Sequence, residues 1–290
     1  MSDRNSAFGG SGRQHDAQEF LIFILDLMTD ELNFRRNTTP YAQISNTDQQ
    51  LDARNKLPPI DAAYREWQLF QTTDNSLVSQ LFGGLEVTSN TCQNCNYVSK
   101  RWTPFQSLNV NFPPNCHGNG SVASIGLDQL FAHKYGQPEL VNGVDCQNCK
   151  EKVDFVRSDR LSSIPDYLVV NLVRFENIGS ALEKVRTRVM FQEKDIDITR
   201  FWFGAADTKM PASVSSRLKP PFLYECYAAV AHRGTSIQSG HYLTFARSPD
   251  RPSNGAGSWH SFSDKLVHKS NWDEVQKHEL TILFLKRNGI

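Results

Sequence analysis

The chain has 290 residues, enough for one large domain or two ordinary ones, and its 39% apolar and 11% aromatic content can form a sizeable core. The chain has 31 lysine and arginine residues and 31 aspartate and glutamate residues, so its net charge is zero. A positive net charge that would attract nucleic acid or an anionic membrane is therefore missing. An apolar leader, a run of roughly 18 apolar residues and a disulfide scaffold are all missing, which predicts a globular protein with reduced thiols in the cytoplasm and/or nucleus.

The first predicted element is an amphipathic helix that starts after Asp16. Asp16 has the residue type of an N-cap, and Glu19 follows it at the spacing of a capping box. Apolar residues then recur at helical spacing, namely Phe20, Leu21, Ile24, Leu25, Met28 and Leu32. We therefore predict a helix of roughly four to five turns that ends near Leu32.

The next stretch, residues 34–57, has few large apolar residues and many polar ones. This composition predicts a long surface loop or a partly disordered insertion. A second, short helix is predicted over residues 61–70, where Ala63, Trp67 and Phe70 are spaced three or four residues apart.

The rest of the chain is predicted to be mostly strands. Residues 85–88 alternate like a strand, and each of the two Cys-Gln-Asn-Cys segments is expected at the turn of a β-hairpin. Residues 167–175 are apolar and β-branched throughout, which is typical of a central strand covered on both faces. Three more strands are predicted over 223–231, 242–247 and 280–287, and glycine, serine and proline predict loops over 203–222 and 247–259.

The two Cys-Gln-Asn-Cys segments have the spacing of a metal site. Zinc prefers four thiolate or imidazole ligands in a tetrahedron, and each C-x-x-C turn supplies two sulfurs. We predict one structural Zn²⁺ bound by Cys92, Cys95, Cys146 and Cys149, with Asn94 and Asn148 as the residues that tolerate a positive φ. The alternatives are a redox C-x-x-C or simple core cysteines. Cys226 is interpreted as a small core residue and Cys116 as incidental.

His241 is a candidate catalytic base. A cysteine hydrolase needs an imidazole that accepts the thiol proton and later protonates the leaving amine, and a second group that fixes its tautomer. His241 follows a glycine-bearing loop over 234–240 and begins a predicted strand, while Ser263 or Asp264 ends the next predicted strand and can lie beside the ring. A lone histidine is more commonly structural, and that is the interpretation of the other seven.

Seven motifs in a fixed order carry a family resemblance. They are Gln14-His15-Asp16-Ala17-Gln18-Glu19-Phe20, Leu81-Phe82-Gly83-Gly84, the two cysteine turns, residues 168–175, His232-Arg233-Gly234, Gly240-His241-Tyr242 and Trp259-His260-Ser261-Phe262-Ser263-Asp264. From about residue 8 to the C-terminus the chain resembles the ubiquitin-specific proteases.

The resemblance implies an α+β, papain-like cysteine peptidase fold with a partial thumb, a palm and zinc-tipped β fingers. Residues 1–290 would form a partial catalytic domain with a thumb remnant over 13–75, including the loop insertion at 34–57, fingers over 76–160 and a palm over 161–290. The loops at 203–222 and 233–240 would correspond to the family's blocking loops. The implied partners are ubiquitin and ubiquitinated proteins, with neither nucleic acid nor a membrane, and the implied state is a monomer.

The resemblance also implies a deubiquitinase, which hydrolyses isopeptide bonds at the ubiquitin C-terminus with a thiol. Its catalytic residues here would be His241 with Ser263 and Asp264. Two departures stand out: the family's N-terminal box with the nucleophilic cysteine has no counterpart, and Ser263 stands where the family usually has Asn or Asp. We therefore expect a truncated chain that is inactive as it stands.

Two other functions are compatible with parts of this sequence. A catalytically dead ubiquitin-binding scaffold would keep the fingers and palm without the chemistry. A zinc-ribbon nucleic-acid binder is disfavoured by the zero net charge and by the lack of a basic stripe that alternates with aromatic residues.

Overall fold

The computed structural model describes residues 15–35, 39–45, 53–117, 123–178, 181–204, 216–236, 239–248 and 258–290. The α-helices in these ranges include α1 (Ala17–Leu32), α2 (Tyr41–Ser45), α3 (Pro59–Gln71), α4 (Leu77–Phe82), α5 (Leu127–Tyr135) and α6 (Trp272–Val275). None of the helices in the described ranges has the length and apolar character that a membrane crossing requires.

Sixteen strands follow α4 in the described ranges, interrupted by α5 and α6. They are β1 (Gly84–Cys92), β2 (Val98–Phe105), β3 (Leu108–Asn111), β4 (Ser124–Gly126), β5 (Glu139–Asp145), β6 (Lys152–Ser163), β7 (Tyr167–Val173), β8 (Phe175–Ile178), β9 (Ala181–Lys184), β10 (Arg188–Met190), β11 (Ile196–Asp197), β12 (Leu223–Ser236), β13 (Ser239–Arg247), β14 (Trp259–Ser263), β15 (Leu266–Ser270) and β16 (Leu280–Arg287).

Two sheets organise these strands. The large one has eight strands in the order β15-β14-β13-β12-β16-β7-β3, with β11 paired to β12 off this path. The second has four strands in the order β2-β1-β6-β5, and β10–β4 and β8–β9 form separate two-stranded pairs. β7 is buried on both faces, as its apolar sequence predicts, and it pairs antiparallel with β16 and parallel with β3.

The helix predicted after Asp16 is confirmed as α1. The Asp16 carboxylate accepts hydrogen bonds from the backbone N–H groups of Gln18 (2.7 Å) and Glu19 (3.3 Å), which satisfies donors at the helix start. Leu25 and Thr29 face the interior, while Phe20 and Met28 are 50% and 45% exposed. The helix packs against α4, and Gln18 and Thr29 make side-chain hydrogen bonds to Asn109 and Gln106.

The prediction of a loop or disordered insertion over 34–57 is wrong for part of this segment. Helix α2 lies within it, and the side chains of Tyr41 and Arg54 are buried. Both reach Glu66 of α3: the Tyr41 hydroxyl donates to Oε2 at 2.6 Å and Arg54 Nη1 donates to it at 2.8 Å. The polar composition does not indicate this burial, because Glu66 lies 25 residues from Tyr41 and 12 from Arg54. Residues 36–38 and 46–52 lie outside the described ranges.

The second predicted helix is confirmed as α3, which is slightly longer than the 61–70 expected. Proline at position 59 suits the first turn of a helix, where its missing N–H costs nothing. The apolar side of α3 packs against the base of the four-stranded sheet in a cluster of Tyr41, Ala62, Trp67, Phe70, Leu85, Val87 and Trp102.

The two cysteine hairpins are confirmed as β1–β2 and β5–β6, and antiparallel pairing of β1 with β6 joins them into one sheet. The predicted finger range, 76–160, is interrupted. β3 belongs to the large sheet, and α5 packs its buried residues Leu130 and Phe131 into the main core. The 51 positions from Cys95 to Cys146 indicate that the chain leaves the hairpins and returns, but not which elements it forms in between.

The strands predicted over 223–231, 242–247 and 280–287 are confirmed as β12, β13 and β16. The predicted glycine loop over 234–240 is corrected, since β12 continues to Ser236 and β13 already starts at Ser239. A β-bulge at Gly234, whose φ is +139°, lets the hairpin extend through this segment. Residues 237–238 lie outside the described ranges, as do 205–215 and 249–257 of the other two predicted loops.

Candidate functional site

The structure brings His241 and Ser263 together. His241 lies near the start of β13 and Ser263 at the end of the neighbouring strand β14, and the two side chains meet with Nε2 of the ring 2.8 Å from Oγ. Both residues are partly exposed. Because Nε2 is engaged by the serine, Nδ1 is the ring nitrogen left to exchange a proton with a reacting group.

Asp264 is placed differently from Ser263. It lies in the turn between β14 and β15 with a φ of +50°, and it is exposed. The hydrogen bond that the described residues provide to the His241 ring comes from Ser263 rather than from this carboxylate. The catalytic roles of His241, Ser263 and Asp264 stay predictions.

A second contact ties the histidine strand to α1. The hydroxyl of Tyr242, next to His241, donates to Asp16 Oδ2 at 3.1 Å, while Oδ1 of the same carboxylate caps α1. Burial and the Asp16 charge raise the pKa of Tyr242 to about 12, so the hydroxyl stays a donor at neutral pH. Sequence reasoning missed this bond, although both residues lie in motifs that it singled out.

A cavity lies beside this contact. It has a volume of about 170 Å³ and is bounded by the start of α1 and by strands β7, β13 and β16. Asp16, Glu19, Arg174, Phe175 and Tyr242 are among its lining residues. The cavity therefore lies between the start of α1 and the strand that carries His241.

The four cysteines predicted as metal ligands converge at the tip of the four-stranded sheet. The sulfurs of Cys92, Cys95, Cys146 and Cys149 all lie within 4.8 Å of one another. Two separations are 4.0 Å (Cys92 to Cys149) and 3.7 Å (Cys95 to Cys146). Zn–S bonds of about 2.3 Å in a regular tetrahedron require sulfurs about 3.8 Å apart, so this cluster can hold a metal ion of that kind.

Hydrogen bonds favour a thiolate at Cys95, whereas burial and the neighbouring sulfurs raise the pKa of Cys149 to about 11. Asn148 Nδ2 donates to Cys95 Sγ at 3.3 Å, and this bond with a backbone bond at Tyr97 lowers the pKa of Cys95 to about 6. The residues with positive φ are Asn96 and Lys150, each directly after the second cysteine of its turn, rather than the predicted Asn94 and Asn148. Asn148 therefore donates a hydrogen bond to a ligand sulfur, a role that the sequence pattern did not show.

The two remaining cysteines lie elsewhere. Cys116 is 1% exposed, and burial raises the pKa of its thiol. Cys226 is fully buried in β12, where its thiol donates to the backbone oxygen of Ala228 at 3.5 Å and burial raises its pKa. Raised pKa values leave both thiols protonated and poorly nucleophilic at neutral pH.

The fold and the site define an α+β protein of the papain-like peptidase type, with a histidine-bearing sheet and a four-cysteine tip. The sequence model of the family described as "Ubiquitin carboxyl-terminal hydrolase" matches residues 1–285, and the chain belongs to this family. The family resemblance and fold class predicted from the sequence are confirmed.

Several curated proteins are similar in sequence. Ubiquitin carboxyl-terminal hydrolase 2 of Gallus gallus is 29% identical over 274 residues, covering 93% of this chain and 68% of that protein. The Homo sapiens protein of the same name is 28% identical and is covered to 40% of its length. Ubiquitin carboxyl-terminal hydrolase 4 of Saccharomyces cerevisiae (strain YJM789) is 30% identical over 252 residues, covering 84% of this chain and 26% of that protein.

Solved structures share the fold. A chain of the SAGA Ubp8/Sgf11/Sus1/Sgf73 DUB module bound to ubiquitin aldehyde matches with a TM-score of 0.66 at 19% identity, covering 96% of this chain and 50% of that one. A chain of the module bound to monoubiquitin matches with a TM-score of 0.64 at 20% identity, with coverages of 96% and 49%. This chain thus spans about half the length of the solved chains it matches.

Proposed function

We propose that this chain forms most of a deubiquitinase catalytic domain, which uses a thiol to hydrolyse isopeptide bonds at the C-terminus of ubiquitin. The observation that carries the proposal is the 2.8 Å contact between His241 Nε2 and Ser263 Oγ on adjacent strands. Family membership adds the class of reaction. In this role Nδ1 of His241 accepts the thiol proton and later protonates the lysine amine that leaves.

Ser263 would hold the imidazole in the productive tautomer. When Nε2–H donates to the serine oxygen, Nδ1 carries a lone pair and can act as the base. A serine hydroxyl is neutral, so it stabilises an imidazolium less than a carboxylate does. Asp264 would contribute through its charge from the adjoining turn rather than by direct contact.

The nucleophile is proposed to lie outside the six cysteines of this chain. Four of them form the cluster at the fingertip, and Cys116 and Cys226 are buried with raised pKa values. A thiol from another segment would therefore have to approach His241 Nδ1. We accordingly propose that these 290 residues alone do not turn over ubiquitin conjugates.

The cysteine cluster is proposed to hold a structural zinc ion. Its sulfur separations suit tetrahedral zinc, and the four thiolates would leave no open coordination position for chemistry. Such an ion would fix the two hairpin turns relative to each other. Reduced, metal-bound thiols suit the reducing cytoplasm or nucleus, which is the location we propose.

Ubiquitin is the proposed partner, with the fingers and palm as its binding surface. Support comes from the structural likeness to chains of modules that are described as bound to monoubiquitin and to ubiquitin aldehyde. Binding and catalysis are separable here, because binding needs the surface and catalysis needs both His241 and a thiol.

The test compares the 290-residue chain with a longer version in which the family's N-terminal cysteine segment precedes residue 1. The short chain should bind ubiquitin without cleaving a fluorogenic ubiquitin substrate, and the longer one should cleave it. In the longer version His241→Ala should lower turnover by about 10³-fold or more, since no other group can activate the thiol and protonate the amine. Ubiquitin affinity, measured by calorimetry, should stay within about threefold, or about 0.7 kcal/mol.

His260→Ala is the matched control, because His260 lies on β14 opposite Ala246 and Lys269 rather than beside the candidate base. Its turnover should equal that of the parent. A longer version that binds ubiquitin without any turnover would instead support a ubiquitin-binding scaffold. Turnover by the short chain that disappears in Cys116→Ala or Cys226→Ala would show that the nucleophile was assigned wrongly.

A further inference from the structure

The ammonium group of Lys184 is buried beside the strand that precedes the candidate base. Lys184 ends β9, and its side chain is 1% exposed. Nζ donates to the backbone oxygens of His232 (2.9 Å) and Gly234 (3.0 Å), and it contacts Glu279 Oε2 at 2.5 Å. An ammonium has three N–H donors, so each of them has a partner here.

The two backbone oxygens belong to an irregular part of the large sheet. The β12–β13 ladder shifts register between Arg233 and Ser236, and the β12–β16 ladder shifts between Val230 and Ala231. A β-bulge leaves backbone groups without their usual partner in the ladder. On the other edge of β12 the pairing with β16 ends at Ala231, and Lys184 binds the backbone oxygens of His232 and Gly234 beyond that end.

The bulge follows directly on the pair that contains His241 and lies opposite Gly240. Arg233 of β12 pairs with His241 of β13, and the oxygens bound by Lys184 belong to the residues on either side of Arg233. The strands fit closely at this point: a Cβ on Gly240 would lie 2.6 Å from the Arg233 backbone oxygen and would also clash with the ring of His232. A shift of the β12 end is therefore transmitted to the backbone of His241.

The surrounding side chains form a packed wall. The ring of His232 is 3% exposed and lies 4.9 Å from the Tyr242 ring and 5.6 Å from the Phe175 ring, centroid to centroid. Phe175 pairs in register with Lys184 across the β8–β9 hairpin. Burial and then the Lys184 charge lower the pKa of His232, so this ring serves as a neutral spacer.

An apolar side chain could fill the space that the buried Lys184 side chain occupies. Burying an ammonium carries a desolvation cost, which an apolar side chain of similar volume would avoid. Charge-assisted hydrogen bonds are, however, shorter and stronger than neutral ones, so an ammonium fixes two carbonyls more firmly than packing can.

We propose that Lys184 is a positioning residue for His241: its ammonium fixes the bulged end of β12, and thereby holds the β13 backbone where the His241 ring meets Ser263. The inference rests on the proposed function, in which His241 is the base. It adds a residue that touches neither the thiol nor the substrate, and that acts through the hairpin.

The test reads the His241 ring directly in the 290-residue chain. With ¹⁵N-labelled histidine, NMR at a pH of about 8.5, two units above the usual imidazole pKa, reports the tautomer of each neutral ring. Signals of His241 are assigned with His241→Gln. The parent should show one dominant tautomer with Nε2 protonated, and in Lys184→Met the two ring nitrogens should lose about half or more of their shift difference.

Arg186→Met is the control for the shared carboxylate, because Arg186 Nη1 lies 3.9 Å from Glu279 Oε1 with a side chain that is 56% exposed. Its His241 signals should match those of the parent. Lys184→Gln, which keeps two N–H donors on a shorter side chain, should change the signals in the same direction as Lys184→Met and less.

Parent-like His241 signals in a folded Lys184 variant would overturn the proposal. Loss of folding in both variants would overturn it as well, since Lys184 would then be needed for the fold rather than for the histidine. The measurement needs neither thiol nor ubiquitin. A change in tautomer together with an inactive N-terminally extended protein would therefore reject the proposed function while leaving the positioning role in place.

Discussion

Among the described residues, the hydrogen bond to the His241 ring comes from a neutral hydroxyl. Ser263 Oγ lies 2.8 Å from Nε2, whereas Asp264 sits in the following turn with a φ of +50°. A neutral hydrogen bond contributes about 1 kcal/mol, less than a bond to a carboxylate. The serine is therefore expected to direct the ring without being indispensable, and Lys184 adds a second constraint through the backbone.

Substitutions at the two positions should separate their roles in the N-terminally extended protein. Ser263→Ala should lower kcat about tenfold, or about 1.4 kcal/mol, because the ring loses the partner that selects its tautomer. Asp264→Asn should stay within about twofold; asparagine is the suitable replacement, since it tolerates the positive φ that alanine does not. Steady-state kinetics with a fluorogenic ubiquitin substrate checks both.

A double substitution in the N-terminally extended protein can contradict these roles of Ser263 and Asp264. Full activity in a protein carrying both Ser263→Ala and Asp264→Asn would show that neither residue orients His241. A larger loss in Asp264→Asn than in Ser263→Ala would move the main role to the carboxylate.

Two polar clusters hold elements together in places where the sequence pattern is weak. Glu66 of α3 is fully buried and accepts from Tyr41 and Arg54, which secures the segment between α1 and α3. The four cysteines hold the ends of the β1–β2 and β5–β6 hairpins. In both cases a few side chains distant in sequence replace an extended apolar contact.

Glu66→Gln should destabilise the thumb. Removing the carboxylate leaves the Arg54 guanidinium buried without its counter-charge, and breaking a buried pair in this way costs about 3–5 kcal/mol. Urea denaturation followed by tryptophan fluorescence should show a lower midpoint. Glu274→Gln serves as the control, because Glu274 pairs with Lys277 on the exposed side of a short helix and its loss should leave the midpoint unchanged. Equal midpoints for the two variants would contradict the importance of the buried pair.

The metal content of the purified protein tests the proposed zinc site at the four cysteines. Purified protein should contain about one zinc per chain, and Cys92→Ser combined with Cys146→Ser should remove it, since one thiolate is then missing from each turn. Cys116→Ala should retain the metal, because Cys116 lies in a separate core position. Mass spectrometry of metals provides the measurement. Zinc retained in the double variant would reject the assignment.

At the scale of the whole molecule, the two sheets meet at the inner end of β6. Ser162 of this strand is fully buried, and it accepts hydrogen bonds from the indole N–H of Trp102 (3.0 Å, to Oγ) and of Trp202 (3.0 Å, to the backbone oxygen). Arg217 donates nearby to the Gly83 backbone oxygen at 2.6 Å. β2, β6 and the segments around Trp202 and Arg217 therefore share one junction, which links the four-stranded sheet to the main core.

The sequence by itself determined the features that repeat over short distances. Helical spacing after Asp16, unbroken apolar character over 167–175 and paired cysteine turns each come from a local pattern, and the structure has α1, β7 and the two hairpins where these patterns lie. The motif order was sufficient to recognise the family, and it narrowed the partner of His241 to Ser263 or Asp264, of which the structure places Ser263 in contact with the ring.

Only the tertiary structure decided the features that depend on partners far apart in the chain. Residues 34–57 look like a loop until Glu66 lies beside Tyr41 and Arg54, and β3 looks like part of the fingers until it pairs with β7. Lys184 likewise gains its role only from backbone oxygens about 50 residues away. Local patterns report periodic burial, whereas a buried charge is stable only where the fold brings its partner, so its place is settled by packing rather than by sequence.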